Sequence, residues 1–168
     1  MSSKNEGKAE VVAWVKENIK QGSKCLDVGA CDGLWHNLLG DYLKMDACEA
    51  FLPNIEKYNL HQKYDRVVGM PISRWLYWHY KLVIFGDVIE HMDTPEAQSV
   101  LQYAQDGHAD NIIVAVPFLY PQGAIYGNPY EVHKQPDLTH EIFMKRYPGF
   151  EPLFIYDRYG YYIWRANK

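Results

Sequence analysis

Apolar positions along the chain switch repeatedly between helical and strand spacing. Val11, Val12, Trp14, Val15 and Ile19 recur at helical intervals and predict an amphipathic helix that ends near Gly22. The run Lys24–Gly29 then reads as a short buried strand, and apolar residues at 34, 35, 38, 39, 42 and 43 predict a helix over Leu34–Leu43. The pattern repeats with a strand at Lys44–Glu49, a helix at Pro53–Asn59 with proline in its first turn, and a third strand at Tyr64–Val68. Leu82–Phe85 is continuously apolar, as a parallel strand covered on both faces requires. Thr94, followed by Pro95 and Glu96, predicts the N-cap of a helix reaching about Gln105, and Asn111–Val116 is a fifth strand stopped by Pro117.

Strands alternating with helices imply right-handed βαβ units and a mainly parallel sheet. The end of the chain breaks that pattern. After a helix near Thr139–Arg146, the strands Pro152–Tyr156 and Tyr161–Arg165 are joined by four residues, so they form an antiparallel hairpin. The expected fold is therefore α/β and Rossmann-like, a seven-stranded mainly parallel sheet closed by a C-terminal antiparallel hairpin. A chain of 168 residues without repeat or linker is read as one domain, with residues 1–7 a flexible tail.

Composition narrows the partners. A formal net charge of −4 and the lack of a Lys/Arg run argue against a nucleic-acid partner. No segment approaches the length of apolar sequence that spans a bilayer, so no membrane partner is expected, and the polar N-terminus is unlike a signal peptide. Cys25, Cys31 and Cys48 lack zinc-type spacing and read as reduced thiols of a cytoplasmic protein. No feature prescribes an oligomeric state.

The chemistry concentrates in a few segments. Leu26-Asp-Val-Gly-Ala-Cys-Asp-Gly33 joins a strand to a helix; Gly29 permits a tight turn and Gly33 a close helix approach, while the loop amides and helix N-terminus offer an anion cradle. Asp27 would repel a pyrophosphate and suits an ammonium, and Asp32 adds negative charge. A zwitterionic amino-acid tail with a sulfonium therefore fits better than a nicotinamide dinucleotide. Glu49, at the end of the second strand, is spaced to accept both hydroxyls of a ribose.

The ordered segments LDVGACDG, CEAF, VIFGDVIEHM and IIVAVPF, spanning Gly22 to Arg165 with the terminal hairpin, resemble the class I S-adenosylmethionine (SAM)-dependent methyltransferases. The resemblance is strongest to the branch of ubiquinone-pathway O-methyltransferases, glycan methyltransferases and small-RNA 3′-end methyltransferases. It implies SAM as cofactor and S-adenosylhomocysteine as product. It also implies that Asp27, Gly29, Ala30 and Gly33 hold the methionine end, with Asp27 on the amino group. Glu49 would take the ribose; Phe51 or Leu52, with Met70, Pro71 and Ile72, would border the adenine; and Asp87 would face the reacting end. Two positions depart from the family pattern: Cys31 stands where the glycine motif has its middle glycine, and Gly69-Met70 replaces an acid.

Catalysis is expected from Glu90, His91 and His133. His91 follows the fourth strand at the carboxyl edge of the sheet and, at an unperturbed pKa of about 6.5, suits a general base. His133 lies in a long Tyr-, Gly- and Pro-rich loop, Phe118–Thr139, whose Tyr120, Tyr126 and Tyr130 would roof an acceptor. His140 is expected in the first turn of the following helix, and His36 and His79 carry no assigned role. The alternative to a base is Mg²⁺ held by Asp87, Glu90, His91 and a later histidine, as the related enzymes use a Glu/Glu/His set; Asp87 is one methylene shorter, which argues against the metal. The reading is methyl transfer to a hydroxyl, or secondarily an amine, of a small-molecule or saccharide acceptor. The other reading is a SAM-binding sensor or partner subunit without activity.

Overall fold

The computed structural model describes residues 6–76, 78–125 and 127–166. The elements follow in the order α1 (Lys8–Asn18), β1 (Lys24–Val28), α2 (Leu34–Leu39), β2 (Lys44–Cys48), α3 (Leu52–Lys57), α4 (Leu60–Lys63) and β3 (Arg66–Val68). They continue with β4 (Leu82–Gly86), α5 (Thr94–Tyr103), β5 (Asn111–Pro117), α6 (His140–Arg146), β6 (Glu151–Ile155) and β7 (Tyr159–Arg165). They build a seven-stranded sheet in the order β3-β2-β1-β4-β5-β7-β6. The pairs from β3 to β5 are parallel, and β7 runs antiparallel to both β5 and β6. The expected α/β architecture and terminal hairpin are both present.

Strand alternation divides the interior into two cores, one on each face of the sheet. Val83 and Phe85 of β4 with Ile112, Val114 and Val116 of β5 face α5 and α6. Leu82 and Ile84 with Ile113 and Ala115 face the other way, against Val11 and Val15 of α1, Ile19 just after it, and Leu39 of α2. Both β4 and β5 are buried on both sides, which accounts for their uninterrupted apolar sequence. Truncating one of these side chains, as in Ile84→Ala, removes about 2–5 kcal/mol of stability.

Several boundaries differ from the sequence reading for local reasons. The helix expected over Leu34–Leu43 stops at Leu39, where Gly40 ends it; Tyr42 instead turns its hydroxyl onto the Ile19 and Lys16 carbonyls at the end of α1. Thr94 is the first residue of α5 rather than its cap. Asp93 caps it, its Oδ1 accepting the Glu96 amide at 2.9 Å. Thr139 caps α6, so His140 does lie in the first turn. Glu6 and Gly7 are not a free tail: Tyr161 donates to the Glu6 carbonyl at 2.7 Å, and a Cβ at Gly7 would meet the Tyr161 and Tyr156 rings. The rest of the expected tail, 1–5, lies outside the described residues, as does Tyr126.

The order reverses between β1 and β4, whose chains leave toward opposite sides of the sheet. The crevice beyond the carboxyl ends at such a reversal is where ligands bind in open α/β sheets. Pro117 pairs with Tyr159, so the start of β7 is carried to the same edge.

Candidate functional site

A cavity of about 950 Å³ occupies that crevice. Its wall takes Gly29, Ala30, Cys31 and Asp32 from the β1 loop, Glu49 and Phe51 from the end of β2, and Met70, Pro71 and Ile72 after β3. Asp87, Glu90 and His91 follow from β4, Tyr120, Tyr130, Glu131 and His133 from the long loop, and Tyr159 from β7. Ten of the twelve sequence-derived site residues thus share one cavity; Asp27 and Gly33 stand outside its wall.

At one end sits Glu49, 5% exposed. Its two carboxylate oxygens accept the amides of Cys31 and Phe51, both at 2.8 Å, which fixes the carboxylate plane. Burial raises its pKa, and these two amides oppose the rise. A carboxylate held this way keeps lone pairs for further donors. Cys31 reaches Glu49 by taking a left-handed backbone, φ 46°, the conformation a glycine adopts without strain. The position where the family pattern has glycine is therefore shaped as though glycine were there. Burial and Glu49 push the Cys31 thiol up to about 12, so it is no nucleophile.

The anion cradle expected of the glycine loop is largely occupied by the protein itself. The Gly29 amide donates to the Cys48 carbonyl, Gly33 to Ala30, and Leu34 to the Asp32 side chain. The packing partner of Gly33 is the Lys63 side chain, which donates to the Asp32 carbonyl at 2.7 Å. Gly29 lets Val88 approach closer than a Cβ would permit. Asp27 is 1% exposed and accepts the Tyr64 hydroxyl at 2.5 Å; its other oxygen has no hydrogen-bond partner among the described residues. Burial raises its pKa to about 7 against the Tyr64 bond, with Glu49 and Asp32 adding to the rise.

At the other end, Glu90, His91 and His133 offer ligand atoms within 4.8 Å of one another. The 3₁₀ turn Ile89–His91 presents the first two, and the long loop brings the third. The two imidazoles meet edge to face, centroids 4.7 Å apart. His91 Nδ1 faces the Val132 carbonyl at 3.3 Å and His133 Nδ1 faces the Tyr120 carbonyl at 2.6 Å. Carbonyls only accept, so Nδ1 of each ring is placed to donate to them; His91 also meets the Glu131 and Asp87 backbone. Glu90 is 1% exposed, neither of its oxygens has a partner among the described residues, and burial followed by Asp87 raises its pKa well above the usual carboxylate range.

His91 departs from the expected titration. Burial, and then the neighbouring His133, lower its pKa to about 4. It is neutral at physiological pH, but a much weaker proton acceptor than an ordinary imidazole. Asp87, on the cavity wall, accepts the Tyr159 hydroxyl and is not part of the Glu90–His91–His133 group. Its backbone is left-handed at φ 56°. Leu119, at φ 48° and 66% exposed, is another cavity residue in that region, so strained backbone collects around this site.

Four further participants leave no mark in the sequence spacing. Lys8, at the start of α1, is buried with its ammonium 5.7 Å from both the Trp35 and Tyr159 ring centroids. Burial lowers its pKa, while Asp87 and Asp32 oppose the fall. Tyr64 and Tyr159 hold the two aspartates. Glu131, clasped by Gln122 and Asn128 at 3.3 Å each, faces the cavity from the loop. For Lys8, Tyr64 and Tyr159 the signal is tertiary, since their partners lie on other elements; Glu131 is held within its own loop.

No protein-family model matches the sequence, and no curated protein matches it. Solved structures do match its fold. A SAM-dependent methyltransferase from Clostridium acetobutylicum is similar with a TM-score of 0.72 at 11% identity, over 95% of this chain and 90% of that one. Magnesium protoporphyrin IX methyltransferase from Synechocystis, solved with S-adenosylhomocysteine, gives 0.63 at 18% identity, over 95% and 81%. The N-terminal domain of EvdMO1, solved with S-adenosylhomocysteine and D-fucose, gives 0.69 at 13% identity, over 99% and 85%. The fold is thus the one these class I methyltransferases share.

Proposed function

We propose that the chain binds SAM in this cavity and transfers its methyl group to a hydroxyl of a small-molecule or glycan-like acceptor. The observation that carries the reading is Glu49, its plane fixed by two loop amides at one end of a cavity whose other end gathers Glu90, His91 and His133. The residues present fit SAM. Glu49 would take the ribose diol, Phe51, Met70, Pro71 and Ile72 would enclose the adenine, and Gly29 and Ala30 would line the methionine path. Asp32 and Asp87, on the cavity wall, would complement its positive charges. Asp27 would act on the ammonium through the loop rather than by lining the cavity.

SAM, when bound, supplies a methyl group already activated by a positive sulfur. The protein's work is then to align the acceptor, exclude water and take a proton. Tyr120, Tyr130, Gln122 and Glu131 roof the acceptor end with aromatic faces and hydrogen-bonding groups. That combination suits a hydroxylated ring, and the structural neighbour solved with D-fucose supports it. His133, on the cavity wall beside His91, would receive the hydroxyl proton, since the low pKa of His91 makes it the weaker acceptor. Incubation with methyl-labelled SAM and a panel of phenols, sugars and glycosides tests the reading. Labelled product is expected from a hydroxylated ring; SAM binding without transfer to any of them would favour the inactive sensor instead.

A second reading has a specific observation behind it. A fully buried carboxylate without hydrogen-bond partners among the described residues, beside two neutral imidazoles, is a donor set for a divalent cation. Two nitrogens and one oxygen suit Mn²⁺, Fe²⁺, Co²⁺ or Zn²⁺ better than Mg²⁺. The low pKa of His91 also favours a lone-pair donor over a proton acceptor. Such an ion would lower the pKa of the acceptor hydroxyl. Activity unchanged after EDTA treatment would remove this reading and leave the first intact.

A further inference from the structure

The Glu90–His91 turn and the loop bearing His133 are far apart in sequence, and a buried side chain joins two backbone amides in fastening them. Gln135 is 3% exposed. Its Nε2 donates to the carbonyls of Ile89 at 2.8 Å and Met92 at 3.2 Å, which flank Glu90 and His91. Its own amide and that of Lys134 both donate to the Glu90 carbonyl, at 3.1 and 2.8 Å. On the other side, Oε1 accepts from Tyr147 at 2.8 Å, Arg146 at 3.2 Å and Thr94 at 3.3 Å. Arg146 is itself held by Asp137 at 2.9 and 2.6 Å.

The orientation of this amide is decided by its surroundings. Carbonyls can only accept and a guanidinium can only donate, so the reversed amide would face two acceptors with an acceptor and a donor with a donor. Every polar atom of the side chain is used, in a place where an unused one would be costly. Gln135 therefore ties the turn after β4 to the start of α5 and the end of α6, through the loop that carries His133.

We infer that Gln135 is a positioning residue for the Glu90–His91–His133 group: it sets the seam across which His91 meets the loop. The seam makes the two histidines unequal. The Nδ1 partner of His133, Tyr120, lies in its own loop, whereas the Nδ1 partner of His91, Val132, lies across the seam. Loosening the seam should release His91 and spare His133. A general loss of structure would release both.

The test uses the metal-free full chain at pH 8 and reads the imidazole ¹⁵N signals together with S-adenosylhomocysteine affinity. Gln135→Met removes the amide at similar volume, and Gln135→Glu keeps the acceptor side while losing the donor side. In the wild type both rings show the Nδ1–H form. In either variant His91 is expected to shift to the Nε2–H form that unconstrained imidazole prefers, with His133 and the affinity unchanged. If His91 keeps its wild-type signature, or if both histidines change together, the inference is overturned. Should neither variant melt cooperatively, Tyr147→Phe, which deletes one contact to Oε1, carries the same test with the same outcomes. A kinetic arm rests on the methyl-transfer reading: kcat should fall on the order of 10- to 100-fold with little change in KM for SAM. Failure of that reading would leave no activity in the wild type, while the imidazole signals still decide the inference.

Discussion

A large perturbation of stability by a single ionisable group is expected at Asp27, and replacing it by asparagine isolates the effect. In the folded chain the carboxyl titrates at about 7, raised first by burial. In the unfolded chain it titrates near 3.9. The native state thus holds this proton over a range where the unfolded state has lost it. Stability from this group is fully present below about pH 4 and is lost as pH rises through about 7. At about 1.36 kcal/mol per pH unit the loss approaches 4 kcal/mol, to order of magnitude. The substituted asparagine would still accept the Tyr64 hydroxyl, but its amide nitrogen would sit where the second carboxylate oxygen lacks a partner, which costs about 1–3 kcal/mol. Asp27→Asn should therefore be similar to or less stable than wild type at pH 5 and more stable at pH 8. Urea unfolding of both proteins at pH 5, 6, 7 and 8 measures the difference, in which titrations common to both chains largely cancel. A difference that stays constant across that range would refute the argument. Saturating S-adenosylhomocysteine should flatten the wild-type slope, because a cation near Asp27 replaces the proton.

Three further outcomes test other parts of the site. Glu49→Ala should weaken SAM binding by about 1.5–3 kcal/mol, the scale of hydrogen bonds to a charged group, as read by titration calorimetry; an unchanged Kd would remove the ribose assignment. Cys31→Gly should stabilise the chain by up to about 1 kcal/mol in thermal or urea unfolding, since glycine relieves the φ of 46° but adds freedom to the unfolded chain. Glu90→Gln should abolish the rise in melting temperature that Mn²⁺ or Co²⁺ gives the wild type over EDTA, and an equal rise in both proteins would remove the metal reading.

The sheet was legible because burial on both faces leaves a plain mark: Leu82–Gly86 and Asn111–Pro117 are apolar almost throughout, and the hairpin is announced by a short link between two aromatic strands. Helix ends were harder. Positions that look periodic, such as Tyr42 and Leu43, pack on the core after the helix has already stopped at Gly40, so periodicity overran the true end. The site was legible where a residue touches the cavity through its own strand end or turn, as Glu49, Asp87 and His91 do. It was not legible where the chemistry depends on a partner from another element. Tyr64 holds Asp27 away from the cavity wall, Tyr159 holds Asp87 on that wall, and Gln135 fastens a seam that no spacing rule connects.

Those partners change the electrostatic meaning of the site as well as its geometry. Asp27, Glu49 and Glu90 all have raised pKa values, with burial as the first cause, and Asp32, Asp87 and Glu131 add charge to the same neighbourhood. Lys8 is a buried cation whose pKa Asp87 and Asp32 hold up against burial. A fold that gathers carboxylates in a half-closed crevice loses stability unless something positive enters it. A sulfonium with an ammonium meets that need better than a pyrophosphate, which would add to the repulsion. On the proposed reaction the same argument gives a direction: methyl transfer would remove the sulfonium charge, so S-adenosylhomocysteine would leave these acids less well compensated than SAM. On that ground SAM should bind more tightly than S-adenosylhomocysteine at low ionic strength, and added salt should narrow the gap; equal affinities that are insensitive to salt would count against an electrostatic origin.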